Sequence, residues 1–251
     1  QLPLARVARL SATLRLADTL ERPLRVADGE VTFPAGRIDF QARTAVFGTT
    51  QLAGVTGTYD GDLPGLGVQA QARVLRLAFS EWQAFFPALP DEGTATFTLA
   101  IEPVAPALTG VRITELAAAV GGAEVRGSIA LASGAAGTEI GRLDVAFSQL
   151  PLSLLEPVVG PLPYTGTMDG EIAGPAEALA FDVTAQLAPA AGGQAFTAGL
   201  TGRLALGPAG ARLRALEADL QQVPLAALRA VAPGLPVEGL VTGRVTLAGS
   251  P

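Results

Sequence analysis

The stretch Phe181-Asp-Val-Thr-Ala-Gln-Leu187 determines the fold class, because apolar and polar residues alternate along it without interruption. Its odd-numbered residues are apolar and its even-numbered residues are polar. Successive side chains of an extended strand point to opposite faces of a sheet, so a period of two is typical of a strand. The stretch therefore predicts a β-strand with one apolar face and one polar face.

The same alternation recurs along most of the chain. Residues 96–101 and 200–206 follow it, and the runs are separated by short breaks such as Gly121-Gly122 and Gly207-Pro-Ala-Gly210. Short breaks suit antiparallel neighbours in a meander. We expect 12 to 14 strands. At the amino terminus the pattern leaves two readings, because residues 10–16 alternate while residues 3–9 are also compatible with a helix.

An internal repeat with a period of about 73 residues organises these runs. Residues 147–172 and 220–245 share nine identities in 26 positions without a gap. Three sets of equivalent residues mark the period: Pro90, Pro163 and Pro236; Leu89, Leu162 and Leu235; Gly93, Gly166 and Gly239. We expect one elongated domain over 1–251, with a degenerate first unit at 1–78, units at 79–150 and 151–223, and the start of a further unit at 224–251. We also expect the chain to be a fragment of a longer protein.

Each unit has the same predicted order of elements. A short helical segment comes first, at 80–86, 151–159 and 224–232, and a Leu-Pro pair ends it. Four strands then follow, which in the middle unit we place near 165–174, 178–188, 194–206 and 210–221.

The composition excludes several classes of protein. Hydrophobic residues make up 49% and charged residues 16% of the chain, and the mean hydropathy is +0.40. Nevertheless, no run approaches the roughly 20 apolar residues that a transmembrane helix needs. The net charge of −6 argues against nucleic acid, which binds clustered cations.

The chain lacks the residues on which most catalytic sites depend. It contains no histidine and no cysteine, and all 17 of its cationic residues are arginine. These absences exclude a Ser-His-Asp triad, a Cys-His pair and a P-loop. Asp60-Gly-Asp62 and Asp91-Glu92 are the densest carboxylate groups, and both fit solvated turns. The sequence therefore indicates a protein that is not an enzyme and holds no metal or cofactor.

An apolar sheet face has to be covered by something. Three short helices cannot cover 12 or more strands, so the sheet covers itself in a closed sandwich or barrel, or it stays open and binds an apolar ligand. Aromatic residues, which fill large cores, make up only 5% of the chain. We favour an all-β, repetitive antiparallel sheet curled into an open, taco-like trough with an apolar interior, plus a few short helices. Acyl chains of lipids would fill such a trough.

Two segments carry a family resemblance. Residues 223–251 and 150–175 each combine a short helix, a Leu-Pro pair and a strand with glycine at its start and middle. This pattern resembles the AsmA-like superfamily, and most closely its TamB branch. The resemblance implies a periplasmic, taco-shaped sheet whose parent protein is anchored in the bacterial inner membrane. It also implies phospholipid as cargo and an outer-membrane barrel protein as a partner.

The resemblance brings no catalytic motif, so the expected site is the apolar face of the strands. The predicted lining residues are Phe97, Leu99, Ile101, Val125, Ile129, Leu131, Val145, Phe147, Phe181, Val183, Leu187, Leu204, Leu206, Val245 and Leu247. A helical plug is predicted at Trp82, Phe85, Phe86, Leu155 and Leu228. The alternative hypothesis is a closed β-sandwich or solenoid that serves as a structural or protein-interaction scaffold and carries no lipid.

Overall fold

The computed structural model describes residues 4–16, 20–34, 36–62, 67–83, 89–105, 108–134, 137–156, 161–190, 192–207, 210–225 and 239–248. Fourteen strands occupy most of these residues. They are β1 Leu4–Leu16, β2 Leu20–Thr32, β3 Arg37–Phe47, β4 Thr50–Asp60, β5 Val68–Ala78, β6 Thr94–Ala105, β7 Leu108–Val120, β8 Ala123–Gly134, β9 Gly137–Pro151, β10 Tyr164–Pro175, β11 Leu179–Pro189, β12 Phe196–Gly207, β13 Gly210–Pro224 and β14 Leu240–Ala248.

The strands form one open antiparallel sheet in which the spatial order is the chain order, from β1 to β14. The prediction of an all-β, repetitive antiparallel sheet is therefore confirmed. The four strands expected in the middle unit lie within three residues of β10 to β13. The helical interpretation of residues 3–9 is wrong for residues 4–9, because Leu4–Leu16 pairs with Leu20–Thr32, and residue 3 lies outside the described residues.

Helical structure is limited to single turns in the described residues. The α-helix α1 covers Phe79–Trp82, and 3-10 helices cover Leu152–Leu155 and Ala176–Ala178. The first two begin the expected segments 80–86 and 151–159, whose remaining residues lie partly outside the described ranges. In the third expected segment, 224–232, the described residues end at Leu225.

The chain divides into two compact units. The first contains residues 1–118 and 127–141, and the second contains 119–126 and 142–251. Within the first, β2 to β6 pair in sequence, and within the second, β9 to β14 do the same.

The internal repeat is present in the backbone. Strands β8 and β12 begin and end one repeat period apart, and so do strands β9 and β13. Gly93, Gly166 and Gly239 have φ angles of 147°, 142° and 126°. A side chain rarely adopts these angles, so glycine recurs where the chain enters β6, β10 and β14.

A bulge also recurs with the repeat. The pairing register shifts between Val74 and Leu77 in β5, between Phe147 and Leu150 in β9, and between Leu220 and Val223 in β13. In the last two bulges, Gln149 and Gln222 have φ angles of 51° and 52°. A bulge leaves a backbone group without a ladder partner.

Polar side chains of the next strand satisfy these freed groups. The Gln149 backbone N–H donates to Asp169 Oδ1 at 3.0 Å, and the Gln222 N–H donates to Thr242 Oγ1 at 3.1 Å. Asp169 and Thr242 are themselves equivalent positions of the repeat. The bulge and the side chain that accepts its free N–H group therefore recur together in successive repeats.

In each of the two compact units, glycine makes room for an aromatic ring at one cross-strand pair. Phe181 of β11 pairs with Gly202 of β12, and Phe40 of β3 pairs with Gly57 of β4. A β-carbon at Gly202 would lie 2.6 Å from Cζ of Phe181 and closer still to the carbonyl oxygen of Ala215. Each ring thus covers the backbone of the facing glycine.

We predict that Gly202→Ala lowers the free energy of unfolding by roughly 1–3 kcal/mol, because the added methyl overpacks this pair. The matched control is Gly207→Ala in the same strand, where a β-carbon would meet nothing within 4 Å. That control should change stability by less than about 0.5 kcal/mol. Urea unfolding followed by circular dichroism measures both, and equal stabilities would contradict the ring-over-glycine packing.

Candidate apolar face of the sheet

Two rows of paired residues run across β9 to β14 on one side of the sheet. The first is Val145, Ile172, Phe181, Gly202, Leu216 and Leu247, and the second is Phe147, Gly170, Val183, Leu200, Ala218 and Val245. Directly paired residues in an antiparallel sheet lie on the same face. Every position in both rows is apolar or glycine. We call this side of β9 to β14 the apolar face.

The opposite side, which we call the polar face, carries rows of polar and charged residues. One of its rows is Glu171, Asp182, Thr201, Glu217 and Thr246. Arg244 of β14 bridges to Glu217 at 2.9 Å. On β9, Arg142 lies 2.6 Å from Asp144, and its hydrogen bond holds the pKa of that carboxyl below its ordinary value. Charge and apolar surface are thus separated by the pleat.

Apolar side chains on the apolar face are buried to very different degrees. Val183 is 8% exposed and Phe147 9%, whereas Leu213 and Leu247 are 47% and 52% exposed. Among the described residues, Leu179 and Val223 are the largest side chains that are fully buried. A closed core would bury many more side chains of this size.

One end of the apolar face holds a small closed cluster. Val223 is 0% exposed and packs with Phe196, and Tyr164, Leu187 and Leu220 surround the pair. The rings of Tyr164 and Phe196 meet edge to face with centroids 5.8 Å apart. Burial raises the pKa of the Tyr164 phenol, since the charged form is harder to hold away from water.

The first compact unit also has an apolar side of its sheet. On β6, Phe97, Leu99 and Ile101 pair with Val74, Ala72 and Ala70 of β5. The row through Ile101 continues to Gly57 and Phe40. All three predicted β6 residues therefore share one apolar side.

Trp82 of α1 lies against the turn between β3 and β4. Its indole Nε1 donates to Thr50 Oγ1 at 2.9 Å, and its ring centroid is 6.1 Å from that of Phe47. The neighbouring Glu81 accepts the Thr49 backbone N–H at 2.9 Å. Helix α1 is thus fixed to the end of the sheet where β3 turns into β4.

The other predicted plug residues are less fully placed. Leu155 belongs to the 3-10 helix Leu152–Leu155 and is partly buried. Phe85, Phe86 and Leu228 lie outside the described residues.

Nine of the predicted lining residues lie together on the apolar face. They are Val145, Phe147, Phe181, Val183, Leu187, Leu204, Leu206, Val245 and Leu247. Val125, Ile129 and Leu131 alternate along β8 and are partly buried.

Sequence reasoning missed several residues of the same face, namely Met168, Ile172, Leu213, Leu216 and Leu220. Glycines at alternate positions of β10 hide its pattern, and bulges in β13 interrupt a period of two. The internal repeat could have identified some of them, because Ile172 is equivalent to Val245.

The cavities in the described residues lie mainly along polar rows. One of them, of about 560 Å³, is in the first compact unit, where Glu30, Asp39, Gln41, Thr58 and Gln69 contribute to its lining. Hydrogen bonds already join Gln41 to Glu30 and Thr58 to Asp39. These side chains satisfy one another within the sheet.

Other candidate chemistry is explained by local structure. The Asp62 backbone N–H donates to Asp60 Oδ1 at 2.9 Å, which is the hydrogen bond of an Asx turn. Among the described residues, no three acidic side chains are placed to share a metal ion. In the same residues, no helix is long and apolar enough to cross a bilayer.

Comparisons of the chain with protein-family models, with curated proteins and with solved structures give no match. The function is therefore inferred from the apolar face itself.

We predict that Tyr164 ionises above the ordinary tyrosine pKa of about 10 in the folded protein. Its raised pKa means that the folded state binds this proton more tightly than the unfolded state does. The stability contribution is therefore complete below the unfolded pKa and is lost as the pH rises through the folded value. Absorbance of tyrosinate in a Tyr59→Phe variant isolates Tyr164, because the chain has two tyrosines. A folded titration that coincides with that of the urea-unfolded variant would contradict this burial.

Proposed function

We propose that this chain shields the acyl chains of phospholipids along its apolar face, as a segment of a lipid-transport bridge. The sheet curls into an open trough whose apolar face is the interior. The observation that carries the proposal is the pair of apolar rows across β9 to β14, whose outer side chains remain half exposed.

The dimensions of these rows suit an extended hydrocarbon chain. Neighbouring strands lie about 4.8 Å apart, so six strands extend for roughly 24 Å along each row. Glycine at Gly170 lowers the floor between the larger side chains of Phe147 and Val183. Each methylene that leaves water contributes about 0.8 kcal/mol, so one acyl chain gains several kcal/mol on this surface.

The separation of the two faces supports lipid over a polar ligand. Rows on the apolar face carry no charged residue between Val145 and Leu247, while ion pairs such as Arg244–Glu217 lie on the polar face. The methylenes of an acyl chain neither donate nor accept hydrogen bonds, so they need no polar partner on the surface that binds them. A polar ligand would leave its groups unpaired there, which is costly.

The cellular setting follows the family resemblance. As a relative of the TamB branch, the protein works in the periplasm, in a parent protein anchored in the inner membrane. It shields lipids on their way to the outer membrane, where a barrel protein is its partner, and in this way supports outer-membrane biogenesis.

The first prediction of this proposal concerns the purified chain. We expect native mass spectrometry to detect phospholipid or fatty acid bound at near-stoichiometric amounts, and organic extraction to identify it. A chain that is free of lipid and takes up none from added micelles would favour the closed scaffold instead.

The second prediction places the lipid on one face. Leu247→Asp should reduce lipid binding about tenfold or more, because a carboxylate on the apolar face must lose its hydration beside the acyl chain. Thr246→Asp is the matched control, since Thr246 is the adjacent residue of β14 but lies on the polar face. Both sites are exposed, so the fold should tolerate either change.

Binding is measured by displacement of an environment-sensitive fluorescent fatty acid, with circular dichroism to verify folding. If the two Asp variants bound the fatty acid with equal affinity, the apolar face would not be the lipid-binding site.

A further inference from the structure

Three exposed arginines lie together at the end of the sheet where β12 turns into β13. They are Arg203, Arg212 and Arg214, which we call the arginine cluster. Arg212 faces Ala205, and Arg203 lies two residues before Ala205 on the same side of β12. Diagonal neighbours of this kind are about 7–8 Å apart in an antiparallel pair. Two long side chains at that distance can contact one small ligand.

A bulge brings the third arginine to the same place. Pairing passes from Arg203–Ala215 to Leu204–Leu213, so Arg214 is the extra residue of β13 and has no partner in β12. All three arginines are therefore sequence neighbours of the single cross-strand pair Leu204–Leu213. Bulges are a common means of changing the direction of a side chain near a site.

Carboxylates do not neutralise the cluster in the part of the chain that the structure describes. The other described arginines of the second compact unit, Arg126, Arg142 and Arg244, lie between 2.6 and 3.0 Å from a carboxylate oxygen. No arginine of the cluster makes such an ion pair with a described residue. Asp182 and Glu217 belong to the next row of the polar face, and Arg244 already binds Glu217. Three adjacent positive charges thus remain in a chain whose net charge is −6.

The repeat indicates that the fold does not need these charges. The equivalent residues one period earlier are Ala130, Glu139 and Gly141. The apolar residue at this strand end is kept, since Ile140 is equivalent to Leu213. The same strand end is therefore built without arginine in the preceding repeat, and its positive charge needs another explanation.

Apolar surface adjoins the cluster. Leu213 lies between Arg212 and Arg214 in the sequence, is 47% exposed, and faces Leu204. Both leucines belong to the apolar face. A ligand that combines an anionic group with a hydrocarbon chain can therefore contact the guanidinium groups and the apolar face at once.

Phosphate is the anion that suits several arginines best. A planar guanidinium donates two parallel hydrogen bonds to phosphate oxygens. A phosphate monoester offers three terminal oxygens and carries a charge of about −1.5 to −2 at pH 7, whereas a carboxylate carries a single charge. More than one guanidinium can therefore bind the same phosphate group.

We propose that the arginine cluster is a binding site for a phosphate group, either free or as the headgroup of a lipid whose acyl chain lies on the apolar face. The lipid form of this ligand rests on the proposed function. Binding of free phosphate to the cluster does not.

The lipid arm of the test uses the full chain and two soluble lipids, dihexanoyl phosphatidic acid and dihexanoylglycerol, which differ only in the phosphate. Binding is measured by displacement of a neutral environment-sensitive dye. We expect phosphatidic acid to bind about tenfold more tightly than dihexanoylglycerol. The Arg212→Gln/Arg214→Gln chain should lose this advantage and keep its affinity for dihexanoylglycerol.

The matched control is Arg126→Gln/Arg244→Gln, which removes the same charge from ion-paired sites of the same compact unit. This control should keep the advantage of phosphatidic acid, and circular dichroism verifies that both variants fold. If lipids bind but the cluster variant keeps the advantage, or the control loses it equally, the arginine cluster is not the headgroup site.

Inorganic phosphate tests the cluster without lipid. We expect the unaltered chain and the control to broaden the phosphorus NMR resonance of phosphate saturably, and the cluster variant to broaden it several-fold less. If neither lipid binds but phosphate behaves in this way, the proposed function fails and the cluster is a site for free phosphate. If phosphatidic acid has no advantage and broadening is independent of the cluster, the proposal is overturned.

Discussion

Antiparallel pairing in a defined register is the constraint on which the rest of the structure depends. Side chains alternate with a period of two, so slipping any strand of β9 to β14 by one residue would move its apolar residues to the polar face. The register is kept by the ladder itself and by bulges that recur at equivalent positions, where Asp169 and Thr242 accept the freed N–H groups of Gln149 and Gln222. Separation of the two faces follows from this register alone.

The sheet is stabilised mainly between neighbouring strands, and this explains its unusual exposure. Elsewhere, a second layer of helices or strands would cover an apolar sheet face. Here Val223 and Phe196 form a closed cluster at one end, and helix α1 is fixed by Trp82 and Glu81 at the equivalent end of the first unit. Between such clusters, the cover that the apolar face requires is the ligand that we propose.

The sequence predicted the strands well because their signal is local. Alternation at Phe181 to Leu187 and the short glycine breaks depend only on neighbouring residues, and the structure confirms an antiparallel sheet there. Residues such as Leu213 and Leu216 were missed because a bulge changes the phase of alternation, and its position depends on the pairing of β12 with β13. The amino terminus was ambiguous for a related reason, since β1 is defined by its pairing with β2.

The repeat has a consequence for how such a chain can change its size. Each period contributes four strands, and duplication of one period would widen the sheet by about 19 Å without disturbing any existing pair. Loss or gain of a single residue inside a strand would instead reverse the faces on one side of the change, unless a bulge takes up the difference as at Gln149 and Gln222. The sheet can therefore widen by whole repeat periods of four strands while the apolar and polar faces are both preserved.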